Sequence, residues 1–296
     1  MASLKEVRNR IVSVNSTMQI TKAMKMVAAA KLRRAQDAIL QMRPYAKKLN
    51  ELIATVSANT EVGAESPYLA VREVNKVLVI VVTSDRGLCG AFNSNIIKAV
   101  TAYIDENLAS QAAVGNVHIK SLGKKGLEAF QRRGFTVNAN HSDIFTKLSF
   151  NEARAAAEEA MFAYAAGEYD QVVLVYNEFK NVATQIIRAE TILPLTNASE
   201  NAADVVNAQT EYIFEPSEEE IILDLIPKSI KMQLYKAVLE SNASEHGARM
   251  TAMDKATENG GELLKDLKIM YNRSRQAAIT NEILEIVGGA EALKAS

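Results

Sequence analysis

The residues best suited to chemistry lie in Gly87-Leu-Cys-Gly90, which follows the apolar run Lys76 to Val82 and is preceded by Asp85 and Arg86. A glycine turn between a strand and a helix can offer backbone N–H groups to a phosphate. The spacing argues against that use. It has neither the G-x-G-x-x-G order nor a Gly-Lys-Thr/Ser ending. A tight strand-to-helix turn is the better reading, with Asp85 and Arg86 capping or pairing locally. The three histidines, His118, His141 and His246, fall in a predicted strand, a loop and a terminal helix. None stands at a metal-ligand spacing, so structural or surface roles are expected. Cys89 is the only cysteine. It reads as a small buried apolar residue, and alone it excludes a disulfide framework, a Cys-based metal site and a dithiol switch. No Ser nucleophile elbow occurs. Glu218-Glu-Glu220 suits a helix N-terminus through the dipole better than a metal site. No residue is assigned a catalytic, cofactor-binding or metal-binding role.

The elements that must position these residues have an unusual order. The first 43 residues contain no glycine and no proline. Val7, Ile11, Val14, Met18, Thr21, Lys25, Ala28, Leu32, Ala35, Ile39 and Met42 follow at spacings of four and three, and nine of the eleven are apolar. That heptad seam requires a second helix alongside. A helix from Val7 to Met42 would be roughly 54 Å long, which suits a lever or shaft better than a compact domain. The helix is expected from about Ser3, where Ser3 and Glu6 form a capping box, to Ala58, with Pro44 bending or interrupting it. Gly63, Ser66 and Pro67 mark a linker.

The period then changes. Val77 to Val82 reads as a strand covered on both faces. A helix at Ser94 to Asn107, a strand at Val117 to Leu122, a helix ending near Arg133 and a short strand at Phe135 to Ala139 follow. Ser149 and Glu152 form a second capping signature opening an Ala-rich helix. Val172 to Phe179 and Thr184 to Leu193 read as a hairpin turning at Lys180 and Asn181. This alternation predicts a mainly parallel α/β sheet of about five strands. Ser217 and Glu220 form a third capping box, and Pro227 is expected to start a new helix as its first residue. The 69 residues from Lys228 to Ser296 hold no proline. Their seam includes Leu234, Val238, Met250, Met253, Leu264, Leu267 and Tyr271. The fold class is therefore α/β: a long antiparallel coiled coil of the N- and C-terminal helices with an inserted Rossmann-like domain. The expected segments are 1–60 (N-terminal helix), 74–195 (α/β domain), 196–216 (connecting loop) and 217–296 (C-terminal helix).

Of the 296 residues 48% are hydrophobic and 23% charged, a soluble globular composition. No run of about 18 apolar residues is present to span a membrane. The absence of an apolar h-region argues against secretion. The net charge of −1 hides an asymmetry. Residues 1–50 carry eleven Lys/Arg against two acids, whereas residues 189–227 carry nine acids and no base. The basic stretch is a solvated helix face or a surface for an acidic protein, nucleic acid or membrane. Nucleic acid is disfavoured because no aromatic precedes Tyr45 and no reader motif occurs.

Four segments resemble one family. Ile11 to Gln36 (IVSVNSTMQITKAMKMVAAAKLRRAQ), Ser84 to Asn93 (SDRGLCGAFN), His246 to Gly261 (HGARMTAMDKATENGG), and Ile279-Thr-Asn-Glu282 with Glu285 and Gly289-Ala290 are similar, in family order, to the γ subunits of F-type ATP synthases. The resemblance spans nearly the whole chain. It implies a non-catalytic rotor shaft without cofactors, set within three α and three β subunits, whose base sits with the ε subunit on a membrane ring of c subunits. Ion flow would turn ring and shaft and drive the β subunits through their nucleotide-binding states, reversibly. It implies contacts with the β-subunit loops at Lys22, Met24, Lys25, Lys31, Arg33, Arg34, Arg249, Arg275, Gln276, Thr280 and Glu282. It further implies an apolar tip at Ile283, Leu284, Ile286 and Val287, and a base facing the c ring at Tyr212 and Glu215. Neither nucleic-acid binding nor direct membrane insertion is expected. The location implied is the cytoplasmic face of a bacterial inner membrane, held peripherally. Plastid relatives carry a regulatory dithiol insertion. This sequence has no counterpart, so thiol control is not expected. The competing readings are a nucleotide-dependent enzyme, which would need the phosphate loop, and a basic coiled-coil scaffold, which leaves the C-terminal signature without a purpose.

Overall fold

The structure is a computed structural model that describes residues 4–59, 66–182, 184–195 and 218–295. Its centre is β1 (Val77–Val82), whose six residues are all buried. A run of β-branched residues with no polar face can only sit mid-sheet. It pairs in parallel with β2 (Val117–Leu122) on one side and β4 (Gln171–Phe179) on the other. β3 (Thr136–Asn138) extends the sheet beyond β2, and β5 (Gln185–Leu193) runs antiparallel to β4. The strand order is β3-β2-β1-β4-β5. The β4–β5 hairpin closes at Asn181, whose side-chain oxygen accepts from the Thr184 N–H at 2.7 Å.

The alternation of side chains along β1 divides the core into two layers. Val77, Val79 and Val81 pack with Ile96, Val100 and Ile104 of α2 (Phe92–Asn107) and Phe130 of α4 (Lys124–Arg132). A short helix, α3 (Ala109–Ala113), precedes β2. Leu78, Ile80 and Val82 face the other way. They meet Ala153, Ala156, Ala157 and Ala160 of α5 (Phe150–Ala165), and Ile226, Ile230, Leu234, Ala237 and Val238 of α6 (Glu218–Ala295). Small alanines on α5 let it lie close to the sheet. Ser149 caps α5 as the sequence indicates, its side chain accepting from the Glu152 N–H at 3.4 Å. The capping residues Ser3 and Ser217 lie outside the described residues.

Helix α1 (Leu4–Asn59) is continuous through Pro44, so the expected interruption does not occur. A second expectation is corrected at Pro227. It does not begin a helix; α6 starts at Glu218 and passes through it. An internal proline removes a backbone hydrogen bond and costs about 3 kcal/mol. Burial of Ile226 and Ile230 in the core on either side offsets that cost, which local sequence rules do not register.

The chain forms two compact units, residues 1–28 with 250–296, and residues 29–249. In the first, α1 and α6 run antiparallel. The Thr21 and Thr257 hydroxyls lie 2.7 Å apart, and Lys25 pairs with Asp254 at 2.6 Å. The two polar seam positions are thus each matched by a polar partner. Gly260 allows Met18 to lie against the α6 backbone; an added Cβ there would come within 2.7 Å of Met18 Cγ. In the second unit the same seam buries Leu32, Ala35, Ile39, Met42 and Leu49.

Gly123, with φ +117°, lies where β2 passes into α4, and a Cβ there would stand 2.3 Å from the Thr83 carbonyl oxygen. Gly123→Ala should therefore lower unfolding stability by at least ~2 kcal/mol through backbone strain and displacement of Thr83. A urea midpoint within error of the parent would contradict the tight packing described.

Candidate functional site

The turn after β1 is held by a small polar network. Leu88 takes a left-handed φ of 66° and Gly90 one of 59°. The Ser84 N–H donates to Asn93 Oδ1 at 3.0 Å, and Asn93 Nδ2 donates to Ser84 Oγ at 2.6 Å and to Cys89 Sγ at 3.3 Å. Ser84 Oγ in turn donates to the Arg86 carbonyl at 2.8 Å. Cys89 is buried, as expected, but its surroundings are polar rather than apolar. Burial pushes its thiol pKa up, opposed by the Ser84 hydrogen bond and the Arg249 charge. Asp85 accepts from the Lys124 N–H at 3.3 Å, so it caps α4. Burial raises its carboxyl pKa, with the Lys124 contacts opposing.

This geometry disfavours a phosphate loop. The carbonyl oxygens of Arg86 and Gly87 both accept from the guanidinium of Arg249 on α6, which also pairs with Glu245. A phosphate needs N–H donors at that place; acceptors repel it. The sequence could not reveal this contact, because Arg249 stands more than 160 positions from the turn.

One other charged site escapes a sequence reading. Lys120 is almost fully buried in β2, where Glu159 of α5 meets its ammonium at 2.5 Å. Glu159 also accepts from Asn138 at 2.8 Å and Asn140 at 3.1 Å. Burial lowers the Lys120 pKa against the pull of Glu159. For Glu159 burial raises the pKa, but Lys120 and the asparagines outweigh it and the net direction is down. The buried pair, with both asparagines on Glu159, fits a structural anchor. His141 lies 3.5 Å from Glu159, and His118 bonds the Tyr169 hydroxyl at 3.0 Å. Among the described residues no group of three or more His, Cys, Asp or Glu is placed to hold a metal ion.

The residues singled out for contact lie along the terminal helices. In the unit formed by 1–28 and 250–296, Lys22 is exposed, while Met24 and Lys25 are half-buried. Arg275, Gln276, Thr280 and Glu282 are all exposed on α6, the Thr280 hydroxyl donating to the Gln276 carbonyl at 2.9 Å. Ile283, Leu284 and Ile286 are more than half exposed and Val287 is 49% exposed, so this apolar stretch is left uncovered by the described residues. In the other unit Lys31, Arg33 and Arg34 are exposed. Arg249 differs from these: its side chain is only 12% exposed. Tyr212 and Glu215 lie outside the described residues. No helix among the described residues is long and apolar enough to cross a membrane.

Two terminal helices, antiparallel where they pair and joined through a five-stranded α/β domain, define the class: a helical-hairpin protein with a Rossmann-like insertion. Residues 3–293 match the ATP synthase family. The ATP synthase gamma chain of Cytophaga hutchinsonii is 60% identical over 293 residues, covering 99% of both chains, and that of Flavobacterium psychrophilum is 54% identical over 294 residues, covering 99% of this chain and 100% of the other. The chain belongs to the ATP synthase gamma-chain family. A solved central-stalk and c-ring structure of the Tetrahymena thermophila mitochondrial ATP synthase contains a chain 28% identical, with a TM-score of 0.56, over 80% of this chain and 99% of that one. A chain of the Euglena gracilis mitochondrial ATP synthase, in its OSCP, F1 and c-ring structure, shares the fold at 23% identity, with a TM-score of 0.68 over 99% and 95%.

His246 gives a pH test of the packing around α6. Burial, together with the charges of Lys31 and Arg249, pushes its pKa down to about 4 from the ordinary 6.5, and its Nδ1 has no hydrogen-bond partner among the described residues. The unfolded chain therefore takes up a proton near pH 6.5 that the folded chain refuses until about pH 4. Stability is full above pH 7 and falls as pH drops through that window. His246→Gln should remove on the order of 2 kcal/mol of this acid-side loss, seen in urea unfolding at pH 7 and pH 4.5. Identical pH slopes for parent and variant would refute the assignment.

Proposed function

We propose that this chain is the turning shaft of an F-type ATP synthase and performs no chemistry itself. The central-stalk role follows from its family. The partners are three α and three β subunits around the shaft, the ε subunit, and the ring of c subunits at the base. Turning of the c ring by ion flow turns the shaft, whose asymmetric surface forces each β subunit in turn through binding, condensation and release of ATP; hydrolysis drives the reverse. The observation carrying this reading is the uncovered apolar run Ile283, Leu284, Ile286 and Val287 at the end of α6. An exposed run of that kind calls for a collar from outside the chain. The exposed polar residues Lys22, Lys31, Arg33, Arg34, Arg275, Gln276, Thr280 and Glu282, with the half-buried Met24 and Lys25, are assigned to the β-subunit loops. Tyr212 and Glu215 are assigned to the c-ring side. The segments 1–60 and 217–296 serve as shaft, 74–195 as base, and 196–216 as their connection.

The protein is a peripheral part of the enzyme complex. We assign it to the cytoplasmic face of a bacterial membrane, in keeping with its bacterial relatives. An exposed ion pair contributes only about 0–1 kcal/mol. No single lysine can then carry the torque, and stiffness must come from the packed seam while charges smooth the sliding surface.

Co-purification from membranes tests the assignment. This chain should appear once per three α and three β subunits and show no ATPase activity alone; recovery as a free, active enzyme would sink it. Within the assembled complex, Lys22→Ala or Lys31→Ala should retain most ATP synthesis. Near-total loss in an assembled Lys31→Ala complex would refute the distributed-contact reading.

A further inference from the structure

In an open α/β sheet, the crevice outside the carboxyl ends of the strands, at the point where strand order reverses, is where a ligand binds. Here that point lies between β1 and β4. Helix α6 crosses it. Ser244 Oγ donates to the Asn177 carbonyl in β4 at 3.1 Å, and Arg249 donates to the Arg86 and Gly87 carbonyls of the turn after β1. We infer that this crevice is a guanidinium site occupied by the chain's own Arg249, which latches α6 to the strand-to-helix turn.

The chemistry of the crevice selects a planar cation. Its two backbone carbonyls and the Glu245 carboxylate are all acceptors. A guanidinium presents five donors in a rigid fork and can meet all three; an ammonium is a point charge and cannot span them as well. Both side chains are nearly covered, Arg249 at 12% and Glu245 at 9% exposure. An unpaired carboxylate at that depth is costly, so the two hold each other in place. The turn is also conformationally loaded. Leu88 holds a left-handed φ of 66° without being glycine, a conformation whose cost the surrounding contacts must offset. Arg249 supplies two of those contacts. It is therefore a positioning residue acting within this chain, a role distinct from contact with the β-subunit loops.

Cys89 makes the latch measurable. It lies inside the turn at 2% exposure and is the chain's only thiol. In the assembled complex, maleimide labelling read on this chain should be at least tenfold faster for Arg249→Ala than for the parent. A few millimolar guanidinium, far below denaturing concentrations, should restore slow labelling by refilling the site. Arg249→Lys should label at an intermediate rate. If Arg249→Ala does not assemble, Arg249→Gln is judged by the same two readouts. Unchanged labelling with impaired ATP synthesis would overturn the latch and return Arg249 to the β-subunit contacts. Fast labelling that guanidinium leaves unaltered would overturn the fit of the site.

Discussion

A helix of 78 residues needs a partner along its length, because its own hydrogen bonds are nearly balanced by those water would make. For α6 the set of partners changes: groups of α1 lie beside Lys228, Glu240 and His246, and part of that same length also faces the sheet. From Ile226 to Val238 an apolar stripe at helical spacing enters the layer built on Leu78, Ile80 and Val82. Beyond Met250 the neighbour is α1, in a register marked by Thr21 with Thr257 and Lys25 with Asp254. Each section obeys a different packing rule, sheet facing in one and heptad in the other. This change of partner explains why α6 shows no single periodic face, whereas the shorter seam of α1 reads cleanly.

The parts of the fold legible in the sequence were those governed by local periodicity. The seam from Val7 to Met42, the doubly buried run at Val77 to Val82, the Ser149 cap and the hairpin at Asn181 each follow from neighbours within a few residues. Pro227 misleads for the complementary reason. Its local rule is sound, but burial of Ile226 and Ile230 outweighs it, and burial depends on residues in β1 and α5. Lys25 is similar: a break in an apolar seam until Asp254, 229 positions away, answers it.

The candidate site divides along the same line. That Gly87 to Gly90 is a tight turn and not a phosphate loop could be read from spacing. That its carbonyls face a cation could not, since Arg249 comes from another element. The buried Lys120 with Glu159 was equally silent, because a lysine in a strand gives no sign of its partner on α5. The contact residues of the shaft were named by resemblance alone. Exposure agrees with availability for most of them, and Arg249 stands apart because its donors are already engaged within the chain.

The uncovered end of α6 has a mechanical corollary. Where α1 lies alongside, two helices share any bending load. From Arg275 onward the positions whose burial is described, up to Ala290, are exposed, and no second helix among the described residues shares the load there. A lone helix flexes far more readily than a pair, so compliance rises toward that end. Such a terminus tolerates small misalignment between an axle and its bearing, while the paired section below it resists winding.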